Sequence, residues 1–203
     1  YKQLNIGTAK PSVDELNRVK HHLIDILDPN DSYSVSIFQD QAKEIIARLK
    51  DRNILPILSG GTGLYVQSLL ENYNFNDVKP DEYLRAELDE LYSTKGIEGL
   101  RDYAFTLGKE HNIEIQYSDK HRLYRAIEIL HHGDVDSLRN QTKDGVSYKG
   151  SVIGLMRDRD KLYERINLRV DMMFDAGLIE EVEQLIKSGV NPDCQAFKGI
   201  GYK

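Results

Sequence analysis

A chain of 203 residues with 40% hydrophobic and 30% charged content can bury a core, and it reads as one soluble globular domain or one domain carrying an insertion. Its single cysteine, Cys194, excludes an internal disulfide and any multi-cysteine zinc site, and no run approaches the ~18 apolar residues of a membrane helix, so a reducing cytoplasm is the expected setting. A formal net charge of −6 argues against bulk attraction to nucleic acid and leaves only local basic clusters to carry such a role.

The chain opens at Tyr1 in polar, turn-like sequence and stops at Lys203 without a terminator, so both ends are expected to continue in a longer protein. Ile6-Gly7-Thr8-Ala9-Lys10-Pro11 sets Gly, Thr and Lys side by side. That suits a loop whose amides and hydroxyl meet an anion, or an ordinary surface turn. Residues 12–20 read as a short helix or loop. Leu23-Ile24 and Ile26-Leu27 predict an extended segment or strand stopped by Pro29. His21 and His22 lack a third ligand in view, which points to structural or substrate-contact roles rather than a metal. Asp31, Ser32 and Ser34 offer N-cap chemistry, and Phe38, Ala42, Ile45, Ile46 and Leu49 recur at helical spacing, predicting an amphipathic helix over 35–51.

Residues 53–59 form a compact apolar run, expected as a buried parallel strand with Pro56 as an objection. Gly60-Gly61-Thr62-Gly63 follows, then Leu64, Tyr65, Val66, Leu69 and Leu70 at helical spacing. Helix, strand, glycine loop and helix make the repeating unit of an α/β nucleotide-type fold, with the loop at the carboxyl edge of the sheet. Residues 71–80 turn polar and mark a boundary. From 80 to 133 the pattern is helical, and 133–149 reads as a mobile loop rich in Asp, Lys, Gly, Asn and Ser. Residues 151–156 are expected to return to the core as a strand. Asp158 then caps a long helix with Leu162, Ile166, Val170 and Met173 as its buried stripe. Gly177 interrupts it, Leu178, Val182, Leu185 and Ile186 continue, and Gly189 ends it. No internal repeat is present.

Three constellations could carry chemistry. Gly60, Gly61 and Gly63 let a backbone approach a ligand, with the Thr62 hydroxyl as donor or acceptor; a strand-to-helix turn needing positive φ would explain two of the glycines without function. Lys120-His121-Arg122-Leu123-Tyr124-Arg125 is the densest basic patch, with Arg122 and Arg125 on one helix face, Tyr124 beside them and few acidic residues to balance them. It suits phosphate and a stacked base, or simply a solvated face. Arg165 and Arg169, one helical turn apart, make a diphosphate clamp unless Glu164 and Asp171 pair with them. No nucleophile–His–acid arrangement, P-loop motif or metal-ligand set is visible.

Asn5-Ile6-Gly7-Thr8-Ala9-Lys10-Pro11, His22-Leu23-Ile24-Asp25, Gly60-Gly61-Thr62-Gly63-Leu64-Tyr65, Arg122-Leu123-Tyr124-Arg125-Ala126-Ile127-Glu128, residues 162–173, Gly177-Leu178-Ile179-Glu180-Glu181-Val182 and Gly199-Ile200-Gly201-Tyr202-Lys203 occur in this order. In combination they resemble the bacterial tRNA dimethylallyltransferases, or tRNA isopentenyltransferases, from Tyr1 to Lys203. The resemblance implies transfer of the dimethylallyl group of dimethylallyl diphosphate to the exocyclic amine of the adenosine 3′ of the tRNA anticodon. It implies a P-loop NTPase-like parallel α/β core at 1–75 and 148–203, with a helical insertion at 76–147 that grips the anticodon stem-loop. Nucleotide-binding (ATP-binding) character, Mg2+, a flipped target base and a soluble, monomeric protein come with it.

By the same resemblance Thr62 and Arg169 are catalytic, and Arg165, Gly60 and Gly61 bind substrate. Arg85, His121, Arg122, Leu123, Tyr124, Arg125, Lys198, Gly199, Ile200, Gly201, Tyr202 and Lys203 meet tRNA. The P-loop and a general-base aspartate are expected before Tyr1, which would leave these residues inactive alone. Asn5 stands where Asp is common, and Phe197-Lys198-Gly199 departs from a more apolar, small-residue version. Two alternatives stay open: an adenylate isopentenyltransferase acting on free nucleotides, and a non-catalytic RNA-binding fragment.

Overall fold

The structure, a computed structural model, describes residues 1–75, 78–139, 145 and 148–203. The chain divides into two compact units, residues 1–59 with 149–203, and residues 60–148. Among the described residues the regular elements are helices and no β-sheet forms. No described helix is long and apolar enough to cross a membrane.

The first unit contains α1 (Val13–Arg18), α2 (Val35–Asp51), α7 (Arg159–Asp175), α8 (Leu178–Lys187) and a 3₁₀ turn at Gln195–Lys198. Local signals explain these helices. Ser12 and Glu15 form a reciprocal capping box at α1, and Ser34 accepts from the Ile37 amide to start α2. Asp158 caps α7, and Gly177 takes the left-handed conformation (φ 93°) that separates α7 from α8. The core gathers Leu4, Leu185, Val190, Cys194 and Ala196, with Tyr1, Phe197 and Tyr202 packed against it. Polar staples join distant segments. Gln195 accepts from the Tyr33 amide and donates to the Tyr33 carbonyl, while Asn30 accepts from the Asn191 amide.

The second unit contains α3 (Gly63–Leu70), α4 (Glu82–Glu110), α5 (Lys120–His131) and α6 (Val135–Arg139). Gly96 (φ 65°) kinks α4. Helix α5 packs on α4, burying Leu84, Leu88, Leu100, Ala104, Leu123, Tyr124 and Ile127. The expected loop at 133–149 contains α6, and its residues 140–144, 146 and 147 lie outside the described residues.

The expected parallel sheet is corrected. Residues 53–58 and 151–156 adopt no regular structure and face solvent, with Leu55 83%, Ile57 84%, Leu155 96% and Met156 98% exposed. Residues 23–27 are likewise irregular, with Leu23 and Asp25 at positive φ (61° and 54°). A strand's hydrogen bonds are made by neighbouring strands, and a parallel strand also needs cover on both faces. An apolar run encodes suitability for that setting without encoding the neighbours, and Pro56 removes a donor besides. The α7 stripe is corrected for the same reason. Leu162, Ile166 and Val170 are exposed, Met173 is half-buried, and α7 buries none of its residues.

Candidate functional site

The loop at Asn5–Thr8 does hold an anion, and the chain supplies it. The Glu181 carboxylate accepts from the amides of Asn5 (3.0 Å), Ile6 (3.0 and 3.1 Å) and Gly7 (3.4 Å). The Tyr202 hydroxyl donates to the same carboxylate at 2.6 Å. Thr8 closes the loop by donating to the Leu4 carbonyl at 2.6 Å. Lys10 donates to the Tyr1 carbonyl at 2.9 Å and pairs with Asp25. Burial, and then the hydrogen bond to Glu181 and its charge, push the Tyr202 phenol well above its ordinary value. A Cβ on Gly7 would sit 2.5 Å from the Tyr202 ring, and one on Gly201 would sit 2.0 Å from the Gly7 carbonyl. The glycines here are required by close approach.

This packing divides the expected tRNA-contact segment 198–203. Gly201 and Tyr202 are half-buried against the first loop, whereas Lys198, Gly199, Ile200 and Lys203 are exposed. On α7, Arg165 and Arg169 stand exposed, four residues apart on one face. Neither forms an ion pair with Glu164, Asp171 or any other described residue, so the acidic neighbours do not quench the clamp.

Thr62 occupies the N-cap position of α3, but its hydroxyl caps nothing. Gly60, Gly61 and Gly63 do not take positive φ, and a Cβ on any of them would meet open space. The turn explanation for these glycines therefore fails, and an exposed backbone edge beside an uncommitted hydroxyl remains. Thr62 and Arg169 belong to different units.

The basic helix α5 is more selective than its sequence. Asp119 caps it by accepting from the Arg122 amide at 3.1 Å. Leu123 and Tyr124 point into the core, while His121 and Arg122 face solvent with no described ion pair. Lys120 is held by Asp89 at 2.7 Å, and the Tyr124 hydroxyl donates to the same carboxylate at 2.9 Å. Arg85 and Arg125 converge on Glu128, a fully buried carboxylate. Arg85 donates twice (2.6 and 3.2 Å), Arg125 once (3.2 Å) and the Asp81 amide once (3.1 Å). Burial works to raise the Glu128 carboxyl, but these hydrogen bonds and charges outweigh it and hold it below the ordinary glutamate value. The expected shortage of acids on this face is thus corrected by Glu128 and Asp89.

Sequence reasoning missed Glu128 and Glu181 as organising groups. Glu128 sits three residues after Arg125, a helical pairing distance, and that signal was available. The contacts of Glu181 lie about 175 positions away in the chain and leave no local trace. Among the described residues no three His, Cys, Asp or Glu side chains gather to hold a metal.

Comparison with known proteins gives a consistent result. The family described as IPP transferase matches residues 1–203. The tRNA dimethylallyltransferase of Bacillus anthracis is 40% identical over 206 aligned residues, covering all of this chain and 65% of that protein. That of Bacillus mycoides (strain KBAB4) is also 40% identical, with 64% of its length covered. The full-length tRNA isopentenylpyrophosphate transferase of Bacillus halodurans superposes with a TM-score of 0.64 at 39% identity, over 100% of this chain and 63% of that one. A eukaryotic dimethylallyltransferase acting on tRNA shares the fold at a TM-score of 0.72 and 19% identity, over 97% of this chain and 51% of that one. The chain thus spans just under two thirds of these curated relatives.

Proposed function

The chain belongs to the IPP transferase family, and we propose that it forms part of a tRNA dimethylallyltransferase. The reaction joins C1 of the dimethylallyl group to the exocyclic nitrogen of the adenosine 3′ of the anticodon. The C1–O bond to diphosphate breaks, its electron pair leaves with the diphosphate, and the amine gives up a proton to a general base.

The observation that carries this reading is the exposed Arg165–Arg169 pair, free of acidic partners on α7. An allylic diphosphate departs readily once its developing charge is stabilised, and two guanidinium groups one turn apart suit phosphate oxygens. Arg169 is assigned to the leaving diphosphate, with Arg165 beside it. Thr62 is assigned to aligning the adenine amine, and the open backbone at Gly60 and Gly61 to close approach of substrate. His121 and Arg122 are assigned to the anticodon stem-loop. Arg85 and Arg125, fixed by Glu128 but still part-exposed, present a preset guanidinium edge to the same RNA. Lys198, Gly199, Ile200 and Lys203 extend the contact. No step is assigned to Mg2+.

The test is transfer of labelled dimethylallyl to unmodified tRNA by the protein expressed from its complete gene, with adenosine monophosphate as the competing acceptor. Transfer to tRNA and not to the nucleotide is expected. Transfer to the free nucleotide alone, or to neither, overturns the reading.

A further inference from the structure

We propose that Glu181 is a positioning residue for Arg165 and Arg169, acting through α8; the proposal builds on the assignment of those arginines to diphosphate. Helix α7 buries none of its own residues, and α8 is the one described element it packs against. Its place in the first unit is therefore inherited from α8. Helix α8 is anchored one turn apart on a single face. Leu185 enters the core with Leu4, Val190, Cys194 and Ala196, and Glu181 reaches the amides of Asn5, Ile6 and Gly7. The second anchor is stiff. Tyr202 braces the carboxylate, its ring fills the space above Gly7, and Gly201 presses on the Gly7 carbonyl.

Two anchors fix a direction, whereas one permits a pivot. Without the carboxylate, three loop amides lose their acceptor and α8 loses the polar one of these two anchors. Arg165 and Arg169, roughly three and two turns before the end of α7 at Asp175, then move with it. Misplacement of a catalytic group by ~1 Å costs on the order of 100-fold in rate.

The experiment uses the protein from its complete gene, carrying Glu181→Ala, Glu181→Gln or Glu181→Asp, each with and without Arg169→Ala. Helical circular dichroism establishes that each variant is folded. Three readouts follow: kcat for transfer to tRNA, the Kd of inorganic diphosphate, and hydrogen exchange at Asn5–Gly7. Glu181→Ala should lower kcat about 10- to 100-fold and weaken diphosphate. In the Arg169→Ala background the same change should cost less than about threefold, because residues acting as one unit are not additive. Glu181→Asp should recover more than Glu181→Gln, since an amide NH₂ opposes the three loop donors. Hydrogen exchange at Asn5–Gly7 should accelerate in every variant that loses the contact. An equal Glu181→Ala effect in both backgrounds, or no effect in a folded variant, overturns the proposal. Coupling in diphosphate binding without any transfer to tRNA would instead remove the functional reading and leave the positioning role standing.

Discussion

Replacing Glu128 by Gln tests the arrangement at the basic helix most directly. The carboxylate is fully buried and accepts from Arg85, Arg125 and the Asp81 amide. The amide keeps one acceptor oxygen but sets an NH₂ against donors. Removing one partner of a fully buried ion pair costs about 3–5 kcal/mol. Here the Arg85 and Arg125 side chains are 42% and 32% exposed, so water takes over part of their hydrogen bonding. The expected loss is therefore about 2–3 kcal/mol, which at roughly 2–4 °C per kcal/mol lowers Tm by about 5–10 °C.

The pH dependence follows from the direction of the shift. A carboxyl held below its ordinary value stabilises the fold above the ordinary glutamate range, and that contribution disappears as pH falls through the depressed value. Parent and variant should thus differ most at neutral pH and converge in acid. Thermal melts followed by circular dichroism from pH 7 down to pH 2.5 measure this. A difference that persists unchanged in acid, or one below about 0.5 kcal/mol at pH 7, refutes the buried-charge account.

Other substitutions separate contact from support. Arg122→Ala should leave Tm unchanged and reduce the log–log salt slope of tRNA binding by about one unit, read by filter binding across salt, whereas Arg125→Ala should also lower Tm. Arg169→Ala should reduce kcat about 100- to 1,000-fold without a melting change; a melted protein whose folded fraction turns over normally would make the arginine structural. Thr62→Ala should lower kcat less than Arg169→Ala, again with Tm preserved, because the hydroxyl caps no helix. Gly7→Ala should cost about 1–3 kcal/mol in urea melts, and much less in a Tyr202→Ala background that removes the clashing ring.

Helices were legible where their signals are local. The spacing of Phe38, Ala42, Ile45 and Leu49 predicts 35–51, which is the observed α2, and Asp158, Gly177 and Gly189 mark the observed limits of α7 and α8. The sheet was misread because residues 53–58 and 151–156 carry strand composition but not their neighbours. The same limit applies to charge. Arg122 and Arg125 are alike in sequence, but only Arg125 faces the buried Glu128, because Leu123, Tyr124 and Ile127 rotate the helix. Gly7 and Thr8 suited either an anion-holding loop or a plain turn; the loop amides do meet a carboxylate, but the Thr8 hydroxyl goes to the Leu4 carbonyl instead. That the anion is Glu181 is a fact of tertiary structure, set by the packing of Leu185 and Tyr202.

The division of the chain also sets an order of assembly. Residues 60–148 are contiguous, and their main contact joins neighbouring helices, α4 and α5. Such contacts close quickly and are available to a ribosome-bound chain once its middle has emerged. The other unit is split between the two ends, and its Glu181 contacts span about 175 positions, for which loop closure alone costs on the order of 5 kcal/mol. The Tyr202 brace cannot form until almost the whole described sequence has been made. During synthesis, therefore, the helical middle should resist protease first, while residues 1–59 remain cleavable until α8 and Tyr202 arrive to hold them.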